Sequence, residues 1–558
     1  MKRGAPALAA LLLVLAGGAR AQVSDDYFYD EVYAPFFKAD PSRDGWILPA
    51  RPGSMAAPFE AVKPAGVLRV FIIGGSTAAG YGGAGDLSWG LAHALPGRRA
   101  EVINCGMSGY DSAREGLVLR EALRHQPDIV VLLTGHNDFF IRRPLMARWR
   151  YRLGRALWRW RWLAAARERF GRRGAGASAP GDAAEEAERR AIQKALVERV
   201  DAHAAAIADA GARAVICVPP VDYEEAASHR LSPPWSDRAF ADGWLSFLRG
   251  RPSDAEAAWL RSLDGPELPA AFRGAVWHAV GRARERQGRF AEAREALARA
   301  LDLEPGSDVC GPACLEALRG VARRRGAVLA DADAAFQAAA FPREPGVELF
   351  GDEIHWNLAR HETVTRALVS SLRADPALAA LGWAPPDGAR PSQAETRKAE
   401  AGHREALLFY ALQKMEFSSS NFSQRALEWL EGVERLEPAW TASPEALLAR
   451  GETVYEHYGS VSPGARSPLP ARTLSRARVY GYYGAMRLEQ SRFAQAEAAL
   501  RVAAEQERGV LEFRLLHAAA AALTGRAAAA RADLAALRGT PQEPAARSLA
   551  SALGLGAL

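Results

Sequence analysis

The chain has 558 residues, a net charge of +6 from 71 Lys and Arg against 65 Asp and Glu, and four cysteines. A chain of this length holds several domains at the usual prior of roughly 150 residues each. The modest charge, with no basic stripe joined to a nucleic-acid-binding motif, argues against a nucleic-acid partner, and four cysteines are too few for a disulfide scaffold.

Met1 to Ala21 has the three parts of a secretory signal peptide: Met-Lys-Arg, an apolar stretch from Ala7 to Ala16, and Ala19-Arg20-Ala21. Cleavage after Ala21 is expected, with the mature protein exported to the periplasm or the exterior. Neither this stretch nor a later one has the ~20 uninterrupted apolar residues of a membrane span. Residues 22–63, with Tyr27, Phe28, Tyr29, Tyr33, Phe36 and Phe37, form an N-terminal arm expected to pack on a domain.

Val67 to Gly80 is the most informative stretch. Val70, Ile72 and Ile73 do not alternate with polar residues, which fits a parallel strand covered on both faces. Gly74 and Gly75 permit a tight turn that places Ser76 at the strand's carboxyl end, where open α/β sheets keep their ligands. A phosphate loop would need a Lys followed by Ser or Thr, which is absent. Gly80 to Gly85 fits the dinucleotide glycine pattern but lies several residues beyond its strand, and the G-x-S-x-G elbow fails at Ala78. A serine that only caps a helix is the plain alternative.

Further strands are expected at Glu101–Asn104, Asp128–Thr134, Ala212–Val218 and Gly326–Ala330, with helices between them, which makes a parallel α/β sheet. Asn104 to Tyr110, with Gly106 and Gly109, follows the second strand, and Gly135-His136-Asn137-Asp138 follows the third. Asp352 and His355 come later, at a spacing that lets one short turn hold a carboxylate near an imidazole. A base, a group to orient it and neutral donors for an oxyanion are the parts that activate a serine.

These four segments, in this order, resemble the blocks of the SGNH (GDSL-type) hydrolases, over about Pro64 to Arg230 and Arg323 to Leu372. The resemblance implies a three-layer α/β/α domain with esterase, lipase, thioesterase or deacetylase activity, and no cofactor or metal. It assigns Ser76 as nucleophile, Asp352 and His355 as its partners, and Ser76, Gly109 and Asn137 as the oxyanion hole. Gly75 and Thr77 depart from the Asp and Leu of the family name, a departure that leaves the substrate open.

Two inserts interrupt this domain. Arg142 to Arg173 is crowded with Arg and carries Trp149, Trp158, Trp160 and Trp162; it is either a solvated basic helix or an interfacial one that meets an anionic membrane or an acidic glycan. In the second insert, Trp277, Gly281, Gly288, Phe290, Ala293, Leu297, Ala300 and Pro305 have the spacing of a tetratricopeptide repeat, and Gly243, Gly250, Ala255 and Trp259 form a weaker copy. The pattern returns near the end, where Ser491 and Gly525 occupy the same place in units 34 residues apart.

The expected order is a signal peptide 1–21, arm 22–63, hydrolase 64–234, repeat insert 235–306, hydrolase 307–375, linker 376–399 and repeats 400–558, the last as a separable unit. Cys105 and Cys217 read as small buried hydrophobes, whereas Cys310 and Cys314 are spaced for a local disulfide. The favoured function is an exported serine esterase acting on an acyl or acetyl ester of a lipid or glycan, with the repeats recruiting a protein partner. O-acyl transfer at the same site and an inactive binding scaffold are the alternatives.

Overall fold

The computed structural model describes residues 34–51, 53–83, 85–141, 182–226, 235–264, 269–303, 309–386, 390–417, 422–461 and 474–556. The expected signal segment, residues 22–33 of the arm and the basic insert 142–173 lie outside them.

The first described strands, β1 (Phe37–Ala39), β2 (Trp46–Pro49) and β3 (Phe59–Glu60), form a small antiparallel sheet. Phe37, Phe59 and Phe71 meet edge to face with centroids 5.3 to 6.2 Å apart, so the arm is fastened to the next domain by aromatic packing.

That domain is built on five parallel strands, β4 (Leu68–Gly74), β5 (Ala100–Asn104), β6 (Ile129–Leu133), β7 (Arg213–Val218) and β8 (Val328–Asp331), in the order β5-β4-β6-β7-β8. The apolar runs have no alternation because both faces are covered. Phe71, Ile73, Val130 and Leu132 point into a core closed by the helices Ser112–Ala122, Asp182–Asp209 and Pro312–Arg325. Val70, Ile72, Ile129 and Val131 point the other way, into a core closed by Leu87–Ala94, Ala332–Ala340 and His361–Ala374. The order reverses at β4, between β5 and β6, and a crevice opens at such a switch point.

The second insert forms two helix pairs, Arg238–Leu248 with Pro252–Leu263 and Ala270–Arg286 with Phe290–Leu303. The chain after the hydrolase adds Gln393–Phe417, Gln424–Leu436, Pro444–Val461, Arg476–Glu489, Phe493–Gln506, Glu512–Leu523, Ala527–Ala535 and Glu543–Ala552. Three pairs close through one device. A Cβ on Gly243 would lie 2.5 Å from Trp259, on Gly281 2.8 Å from Leu297 and on Gly484 2.7 Å from Leu500, so each glycine lets a large side chain of the second helix reach the first.

Three sequence expectations change. Glu400 to Leu558 does not stand apart, because Phe240, Trp244 and Val280 of the insert share one apolar core with Leu412, Leu430, Leu488 and Leu516. The 376–399 linker is partly structured: Pro376–Leu381 is a 3₁₀ turn, and Gln393–Phe417 starts within it, where Ser392 Oγ accepts from the Glu395 N–H and donates to the Glu395 carboxylate. Cys310 and Cys314 are buried free thiols. No helix among the described residues is long and apolar enough to cross a membrane.

Candidate active site

Ser76 opens the short helix Ser76–Ala79 directly beyond β4. The space around the turn is tight at both glycines before it, against backbone at Gly74 and against a side chain at Gly75. A Cβ on Gly74 would lie 2.2 Å from the Leu133 carbonyl oxygen of β6, and one on Gly75 would lie 2.1 Å from Asn137 Nδ2. The side chain of Asn104, at the end of β5, fastens the turn from the other side by donating to the carbonyls of Ala78 (2.7 Å) and Tyr81 (2.8 Å).

The two glycines of the next loop do different work. Gly106 lies against the nucleophile turn, where a Cβ would come within 2.3 Å of Ala79 N. Gly109 has φ +73°, a left-handed conformation that disfavours other residues. It precedes Tyr110, whose carbonyl accepts from Asn137 Nδ2 at 2.8 Å. Asn137 lies in the helix His136–Ile141 that follows β6. Asp138, the next residue, accepts from the backbone and hydroxyl of Ser112 at 2.9 and 2.6 Å, which locks this helix to the start of Ser112–Ala122. Burial, and next the Asp111 carboxylate, raise the Asp138 pKa to about 6 against those bonds.

Asp352 and His355 come from an irregular loop after β8 and the helix Ala332–Ala340. His355 Nε2 lies 2.8 Å from Ser76 Oγ, and His355 Nδ1 lies 2.7 Å from Asp352 Oδ2. An ionised carboxylate only accepts, so Nδ1 carries the hydrogen and Nε2 is left to accept from the serine hydroxyl. The other Asp352 oxygen accepts from the backbone of Ile354 (3.0 Å) and His355 (2.7 Å). For both groups burial opposes the charge, but their mutual bond prevails: the Asp352 pKa is lowered and the His355 pKa raised. His136 does not compete as base. Burial first, and then the nearby His355, lower its pKa to about 3, and its Nδ1 accepts from the Cys310 N–H at 3.3 Å.

Thus Ser76, Asp352, His355 and Asn137 come together at one end of the sheet, with Gly109 on the loop that holds Asn137. Sequence reasoning missed Tyr110, whose contact with Asn137 is made by a backbone carbonyl and leaves no side-chain signal. It also missed that Asn137 Nδ2 occupies the room beside Gly75.

Residues 72–254 match the GDSL-like Lipase/Acylhydrolase family model, and residues 274–307 match a tetratricopeptide repeat. The first match includes Ser76, Gly109 and Asn137, while Asp352 and His355 lie beyond it. The protein therefore carries an ester-hydrolysing domain and a tetratricopeptide repeat. Among curated proteins nothing matches. Among solved structures, an acetylxylan esterase from Geobacillus stearothermophilus is similar at 11% identity and TM-score 0.28, covering 54% of this chain and 93% of its own. The acetyl xylan esterase AlAXEase is similar at 12% identity and TM-score 0.28, covering 54% of this chain and 98% of its own. LAE5, an α/β hydrolase from the metagenome of Lake Arreo, Spain, is similar at 17% identity and TM-score 0.25, covering 54% of this chain and 94% of its own. At that level of likeness no substrate passes from those proteins to this one.

Proposed function

We propose that this ester-hydrolysing domain works through an acyl-enzyme on Ser76. His355 takes the hydroxyl proton as Ser76 Oγ attacks the ester carbonyl, and Asp352 stabilises the imidazolium that forms. The N–H groups of Ser76 and Gly109 and the remaining Nδ2 hydrogen of Asn137 receive the oxyanion. The tetrahedral adduct collapses, the C–O bond to the alcohol breaks, and His355 returns the proton to that oxygen. Water, deprotonated by His355, then attacks the acyl-enzyme; the C–Oγ bond to Ser76 breaks, His355 returns the proton to Ser76 Oγ, and the carboxylic acid is released. The observation that carries this reading is the continuous hydrogen-bonded chain from Ser76 Oγ through His355 to Asp352, at 2.8 and 2.7 Å.

The test is a panel of short-chain, long-chain, thioester and acetylated-sugar substrates together with a serine-reactive phosphonate. Ser76→Ala and His355→Ala should each abolish turnover, and Ser76→Ala should also abolish labelling. Asn137→Ala should lose on the order of 100- to 1,000-fold in rate and retain the rest. Full activity in Ser76→Ala would end the proposal.

We further infer an exported enzyme acting on an acyl or acetyl ester of a lipid or glycan, with a protein partner on its repeats. The support is the Met1 to Ala21 pattern and the tetratricopeptide match. Fractionation should find the mature chain beginning at Gln22 outside the cytoplasm. The Arg142 to Arg173 segment is proposed to meet an anionic membrane, each Arg near such a surface contributing roughly 1 kcal/mol. Co-sedimentation with anionic vesicles at low salt should weaken when Arg148, Arg152, Arg155 and Arg159 are changed to Gln.

A further inference from the structure

The loop that carries Asp352 and His355 is irregular, and few of its bonds run to the sheet. Ile354 is buried in the hydrolase core and the Glu353 carbonyl accepts from the Asp222 N–H at 3.2 Å, while the Gly351 N–H closes the turn onto the His355 carbonyl at 2.7 Å. Leu349, Phe350 and Trp356 of the same loop also pack into the hydrolase core, and a second set of anchors belongs to the helical repeats. Arg294, from the second insert, binds Glu344 at 2.7 Å. His403 Nε2 lies 2.7 Å from the Val347 carbonyl, Arg435 donates to Glu348 at 2.7 Å, and Gly432 makes room for the Val347 side chain.

Nearest the chemistry, Arg425 of Gln424–Leu436 forms an ion pair with Glu353, the residue next to Asp352. The Arg425 side chain is 4% exposed and lies with its guanidinium 4.7 Å from the centroid of the buried Trp429 ring, so its direction is set by packing. Within the loop, Ile354 faces the hydrolase and Glu353 faces the repeats, with Asp352 and His355 on either side. Tyr410 of Gln393–Phe417 has its phenol pKa raised by burial and then by the Asp352 carboxylate.

We propose that the helical array completes the active site, with Arg425 acting through Glu353 as a positioning residue that sets Asp352 and His355 against Ser76. The proposal rests on the catalytic reading of those three residues. Arg425 touches no reacting atom. It neutralises a half-buried carboxylate that would otherwise repel Asp352, and it draws one side of the loop onto a rigid helix. The position of the general base therefore depends on a module with its own core as well as on the loop's packing in the hydrolase.

The experiment compares the full chain with Arg425→Gln/Glu353→Gln, which removes both charges at once, with Arg425→Lys, and with Gly432→Ala, whose Cβ would fall 2.3 Å from Val347 Cγ2 and push the loop without changing charge. The first and last should lose about 10- to 100-fold in kcat at unchanged KM, the scale expected when a catalytic group is misplaced by about 1 Å. The midpoint of their acid limb should also move to lower pH as the Asp352–His355 bond loosens. Arg425→Lys, which keeps the charge on a different head group, should lie between them and the wild type. Wild-type kcat and acid limb in folded Gly432→Ala and Arg425→Lys would overturn the proposal, as would a change confined to KM. Ser76→Ala, run alongside, separates the two readings: activity there sinks the catalytic assignment, whereas its silence beside fully active Arg425 variants sinks only this one.

Discussion

Gly75 is the residue where sequence and site are most tightly bound. Its missing side chain leaves the space that Asn137 Nδ2 occupies. Gly75→Ala should therefore behave as a weakened Asn137 variant: a folded protein with kcat lowered about 100-fold, the scale of one lost oxyanion donor. The pH profile belongs to the same scale. In the proposed mechanism the neutral imidazole is the active base, and Asp352 holds the His355 pKa above its ordinary value of 6.5, so kcat/KM should fall as pH drops through a midpoint above 6.5. Asp352→Asn removes the interaction that raises it. The midpoint should move down in pH while kcat falls by about 10,000-fold, as when such a triad loses its orienting carboxylate.

Helix pairs in the array depend on where a glycine can be replaced. An alanine is favoured over glycine in a helix by roughly 1 kcal/mol, so contacts decide the sign. At Gly402 no atom lies within 4 Å of the added Cβ, and Gly402→Ala should raise stability by about 0.5 to 1 kcal/mol. At Gly484 the Cβ would fall 2.7 Å from Leu500 Cγ and 3.0 Å from its backbone nitrogen, which cannot swing aside. Overpacking of that kind costs about 1 to 3 kcal/mol, so Gly484→Ala should lower the denaturant midpoint. The turns between paired helices share a second requirement: Gly250, Gly288, Ser491 and Gly525 all have positive φ, from 60° to 81°. Ser491, the one non-glycine of the four, bonds through its hydroxyl to the Leu248 carbonyl, which ties the last repeats to the insert.

At the scale of the whole molecule, the insert and the C-terminal repeats form one array around a common core, and that array grips the acid–base loop. Removal of residues 393–558 should therefore not yield an independent hydrolase. The truncated chain would expose Phe240, Trp244 and Val280, and would leave Glu353 without Arg425. Aggregation on size exclusion, or loss of ester hydrolysis in any monomer recovered, is the expected result. A soluble, fully active truncated enzyme would show instead that the repeats are accessory.

What the sequence by itself determined is everything a short stretch of chain can specify. The run from Val70 to Ile73 is apolar on both faces and has to be an interior strand, Gly74 and Gly75 have to be a tight turn, and the repeat spacing has to pair helices. The same locality made Ser76, Asn137, Asp352 and His355 visible as parts. Only the tertiary structure decided that Ser76 and His355, 279 residues apart, meet at 2.8 Å. It also decided that the repeats inserted within the hydrolase and those after it share one core and that Arg425 reaches Glu353. Such contacts depend on the relative placement of elements whose local signals are satisfied in many arrangements. Burial of the remaining apolar faces selects one of them.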